Sequence, residues 1–142
     1  MQQPTPINFK YFEMDYYFST TLQHTSMEEA VEKITQALKE EGFGILTEID
    51  LKATFKKKLD VDFPNYKILG ACNPNFAHKA LQAENKIGTM LPCNVIVREN
   101  EDGSIEVAAV DPTASMMAIK NESLGQIANE VREMLARAID KL

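Results

Sequence analysis

Two alternating runs, Cys93 to Arg98 and Ser104 to Val110, flank Glu99-Asn100-Glu101-Asp102-Gly103, and no other stretch constrains the fold as much. Alternation with period two marks strands with one buried face. Asp-Gly between two such runs favours the tight turn whose twist matches that of a hairpin. The two runs are therefore expected to pair antiparallel, which places at least part of any sheet in an antiparallel arrangement.

Helix signals alternate with further strand signals along the rest of the chain. Tyr16 to Leu22 is aromatic and β-branched and reads as a strand. Ser26 and Glu29 form a capping box for a helix whose apolar positions Met27, Ala30, Val31, Ile34, Ala37 and Leu38 recur at helical spacing, with Gly42 as the left-handed stop. Phe43 to Ile49 reads as a second strand. Asp50 can cap a short helix with Leu51, Phe55 and Leu59 on one side and Lys52, Lys56, Lys57 and Lys58 around the rest, a solvated face. Tyr66 to Cys72 forms a third strand, and Asn73-Pro74 starts a helix with Phe76, Ala77, Ala80 and Leu81 as its buried side. Asp111-Pro112 repeats that signal ahead of one helical turn at Met116-Met117. A final helix is expected from Ser123, with Gln126 completing a second capping box and an apolar stripe from Leu124 to Ile139.

At 142 residues, with 44% hydrophobic and 25% charged, the chain has the size and balance of one globular domain that buries a core without staples. Residues 1–10 read as a loose N-terminal leader, and 11–142 as a single domain. A net charge of −6 argues against nucleic acid, whose affinity comes from lysine and arginine displacing counterions. No basic region precedes a long apolar run, and no stretch of about eighteen apolar residues exists, so no membrane role is expected and a cytoplasmic location is.

The only two thiols stand twenty-one residues apart in Ala71-Cys72-Asn73-Pro74 and Leu91-Pro92-Cys93-Asn94, each where a strand meets a turn. Cys72 precedes a helix whose first amides favour a thiolate, whereas its plainer role is a small buried apolar residue sharing a strand face with Ile68 and Gly70. Cys93 shares a face with Val95 and Val97, and Asn94 points the other way. If their strands were adjacent, the two sulfurs could form a reversible disulfide or bind a soft metal. The four-cysteine spacing of structural zinc is absent, and no metal or cofactor is expected. His24 and His78 lack an orienting carboxylate, so nucleophilic hydrolysis has little support. The methionines Met116 and Met117 read as flexible core filling.

Glu40-Glu41-Gly42-Phe43-Gly44, Tyr66 to Pro74, Ala80-Leu81, Ile87-Gly88 and Leu91-Pro92-Cys93-Asn94-Val95 together resemble the cysteine-containing version of the bacterial and archaeal domain-of-unknown-function family three hundred and two, from about Tyr16 to the C-terminus. The resemblance implies an α+β domain, with helices on a curved, largely antiparallel sheet of TATA-binding-protein-like architecture, assembled as a homodimer. It implies no established activity. The expected role is a non-enzymatic module that binds a small-molecule or anionic ligand, or a protein partner. Its pocket would be formed by Cys72, Asn73, Pro74, Cys93 and Asn94. The alternative is redox, sulfur-transfer or soft-metal chemistry through Cys72 and Cys93.

Overall fold

A computed structural model describes residues 15–142. The expected leader, and a start of order near Tyr11, lie outside the described residues. Five strands, β1 (Tyr17–Leu22), β2 (Gly44–Asp50), β3 (Tyr66–Cys72), β4 (Cys93–Glu99) and β5 (Ile105–Val110), form one antiparallel sheet in the order β1-β5-β4-β3-β2. Around it run α1 (Met27–Glu40), α2 (Leu51–Leu59), α3 (Pro74–Ala83), a 3-10 turn at Ile87–Met90, α4 (Pro112–Ser115) and α5 (Glu122–Asp140). The α+β expectation of an antiparallel sheet with helices packed on it holds.

The first two strands occupy opposite edges, so the chain must cross the whole sheet between them. Four strand spacings come to about 19 Å, and fourteen helical residues to about 21 Å, so α1 has the length that this crossing needs. Its capping box is present: the Glu29 amide donates to Ser26 Oγ at 3.1 Å, and the Ser26 amide donates to Glu29 Oε1 at 3.2 Å. Gly42 closes the helix at φ +88°. Ile34 and Leu38 of α1 and Leu135 and Ala138 of α5 pack on the sheet face formed by Leu69, Val95, Val97 and Val107, and this is the main core.

Pairing places Ala71 opposite Cys93 and Leu69 opposite Val95, so the buried face of β3 carries Leu69 and Ala71, while Ile68 and Gly70 lie on the other face. This differs from a Cys72 buried beside Ile68 and Gly70: Cys72 is half-buried at the strand end. The expected apolar side of α2 is not a core face either, since none of its residues is buried and Leu59 is 64% exposed. Phe55 stacks edge-on against Phe63 at 4.9 Å, with Phe63 tilted over Tyr66 at 6.2 Å. A nine-residue helix held by one aromatic ladder on an edge-strand connection gains little burial.

The last helix starts earlier than Ser123. Asn121 is its cap, accepting from the Leu124 amide at 3.2 Å and donating Nδ2 to the Ala83 carbonyl at 2.9 Å. An asparagine that satisfies two chain ends at once outcompetes a serine that can satisfy one.

Candidate functional site

A second, smaller apolar cluster of Ala80, Ile87 and Leu124, with Leu91 and Met116 against it, sits beside the main core. Where the two clusters meet, the helices do not close on the sheet, and a cavity of about 270 Å³ remains. Its floor includes Ala71 and Cys93 from the sheet, and its walls include Phe76 and Ala77 of α3 with Ile127 and Val131 of α5. Leu46 and Leu81, 66% and 42% exposed, stand among the lining residues as an apolar rim.

Adjacent pairing of β3 and β4 brings the two cysteine motifs to the same end of the sheet. Cys72, Asn73 and Cys93 all border the cavity, together with Leu91 and Pro92, which enter β4 through a cis peptide bond. The other two expected residues stand elsewhere. Pro74 is exposed at the first position of α3, and Asn94 is exposed on the opposite sheet face, paired with Gly70.

Asn73 is buried and already engaged. Its Oδ1 accepts from the Phe76 amide at 3.5 Å, and its Nδ2 donates to the Glu41 carbonyl at 3.3 Å, tying the start of α3 to the end of α1. A Cβ on Gly42 would come within 2.9 Å of that Nδ2, so glycine is required there by space as well as by backbone. Gly70 lies in mid-strand, where the Pro92 ring and the Thr47 side chain occupy the space a Cβ would need.

Both thiols are free. Burial pushes the Cys93 thiol from its ordinary value of 9.0 up to about 11, and the neighbouring Cys72 adds to the effect. Burial thus disfavours the thiolate form of Cys93 at neutral pH. Both histidines are exposed and outside the cavity lining. Among the described residues no cluster of three or more histidine, cysteine and carboxylate side chains could hold a metal ion, and no helix is long and apolar enough to cross a membrane. Met117 is 78% exposed rather than core filling, whereas half-buried Met116 lines the cavity. The remaining wall residues, from Phe76 to Val131, read in sequence as ordinary helix core. The signal that could have separated them is that α3 and α5 direct them to a space shared with two strand ends.

An open five-stranded antiparallel sheet with helices packed on it makes this an α+β fold. The chain belongs to the family described as Domain of unknown function DUF302, whose model matches residues 18–142. It is similar to the crystal structure of an uncharacterized conserved DUF302 protein from Bacillus stearothermophilus, with 28% identity and a TM-score of 0.81 over 89% of this chain and 97% of that one. No curated protein matches the chain.

Proposed function

We propose that this domain is a non-enzymatic binding module that holds a small molecule in the cavity between α3, α5 and the cysteine-bearing ends of β3 and β4. The observation that carries the reading is that both motifs, Cys72-Asn73 and Leu91-Pro92-Cys93, border one cavity of about 270 Å³. At about 24 cal/mol per Å³, a closed void of that size costs on the order of 6 kcal/mol, a large share of a domain's stability. Opening at Leu46 and Leu81 lowers the cost, and an occupant restores the missing contacts. Thiol chemistry is disfavoured by the burial of Cys93.

The module is proposed to act as a cytoplasmic homodimer. Supporting this, the sheet face away from α1 and α5 carries a row of paired isoleucines, Ile49-Ile68-Ile96, one from each of three adjacent strands and none of them buried. Burying such a row between two copies would remove apolar surface from water on both.

Titrating a panel of small neutral, anionic and cationic compounds into labelled protein, followed by amide chemical shifts, tests the binding role. Shifts should gather at Ala71, Phe76, Cys93 and Ile127, and the Cys72→Ala/Cys93→Ala double variant should retain them. If no compound moves these amides, or the double variant loses all binding, the reading fails.

A further inference from the structure

Resting on that binding role, the cavity lining restricts the charge of what it can hold. Among the described residues lining it there is no lysine, arginine, histidine, aspartate or glutamate; the side-chain heteroatoms are those of the Asn73 amide, two sulfhydryls and the Met116 thioether. The amide nitrogen is committed to the Glu41 carbonyl. Lys79, whose Nζ lies 5.3 Å from the centre of the Phe76 ring, is exposed and outside the lining, where water screens its charge.

An ion entering this space would shed its hydration with no partner to replace it, a far larger cost than burying a hydroxyl. We infer that the ligand is an uncharged, mainly hydrocarbon molecule, with its one polar group, if it has one, next to Cys72 and Asn73. The anion-binding option offered by a helix start loses to the lining: Asn73 already caps α3, and among the described residues no cation lines the cavity. Size follows from volume. A dry cavity of about 150 Å³ takes benzene, so about 270 Å³ suits roughly ten non-hydrogen atoms.

Calorimetric titration with octan-1-ol, octanoate and octylammonium, at one pH and ionic strength, separates charge from chain length. Octan-1-ol should bind at least roughly a hundredfold more tightly than either ion. Ala77→Phe, which fills the cavity from α3, should abolish octan-1-ol binding while amide dispersion shows the fold retained. Leu81→Lys, placing a cation at the exposed rim, should raise octanoate affinity at least about tenfold relative to octan-1-ol. Octanoate or octylammonium binding as tightly as octan-1-ol would overturn the inference and leave the binding role standing. So would failure of all three when other members of the broader panel bind at the cavity. Octan-1-ol binding that survives Ala77→Phe overturns it as well. If nothing in that panel binds, the binding role itself falls.

Discussion

Gly70 and Cys93 sit on adjacent rungs of the β3–β4 ladder and on opposite faces of the sheet, and each makes a claim that one substitution can test. A methyl at Gly70 would meet the Pro92 ring at 2.8 Å and also the Thr47 side chain. The ring is rigid and cannot swing away, so Gly70→Ala should destabilise the fold by about 1–3 kcal/mol in urea unfolding. A change under a few tenths would show that Pro92 does not pack there. Cys93 makes a pH claim. Its folded pKa is raised from 9.0 to about 11, so the folded state holds this proton more tightly than the unfolded chain. The stability it contributes is fully present below pH 9 and is lost as pH rises toward 11, on the order of 3 kcal/mol in all. Cys93→Ala should flatten that part of the stability profile, and Cys93 in the Cys72→Ala background should alkylate slowly at pH 7. The motif spacing singled out both cysteines, and both line the same cavity. It could not tell which was sealed, because burial depends on the helices that arrive from elsewhere in the chain.

Helix starts were mostly legible because a cap is a local event. Ser26, Asp50, Asn73 and Asp111 all cap the helices their side chains announce. The final helix departs from that pattern for a non-local reason: Asn121 is selected by the Ala83 carbonyl, thirty-eight residues away. Asn121→Ala should therefore cost about 1–2 kcal/mol by thermal or urea unfolding, and Ser123→Ala only a few tenths. The reverse order would restore Ser123 as the cap. The α2 helix shows the opposite failure. Its apolar spacing was visible, but spacing reports a face and not what covers it, and its connection at the sheet edge leaves Leu59 in water.

For the whole molecule, the hairpin fixed an antiparallel pair and the family motifs fixed the α+β class. The strand order, which carries β1 and β2 to opposite edges, was not readable from either. That order leaves one sheet face covered by helices and the other bearing the isoleucine row, and a homodimer built on that row makes a hydrodynamic prediction. The wild type should sediment as a dimer, and Ile96→Glu, which puts a charge in the row, as a folded monomer. A monomeric wild type would contradict it. A pocket at the two cysteine turns was expected, but its walls on α3 and α5 were not readable, because the space lies where two apolar clusters fail to merge. Its being dry, apolar and open to small molecules is the claim on which the binding role stands. The direct measurement is a crystal structure under xenon pressure, since xenon enters apolar voids and not hydrated ones. We predict an anomalous peak between Phe76, Ile127 and Cys93; a cavity filled with ordered water, or closed by movement of Phe76 and Met116 with no xenon inside, would contradict the account.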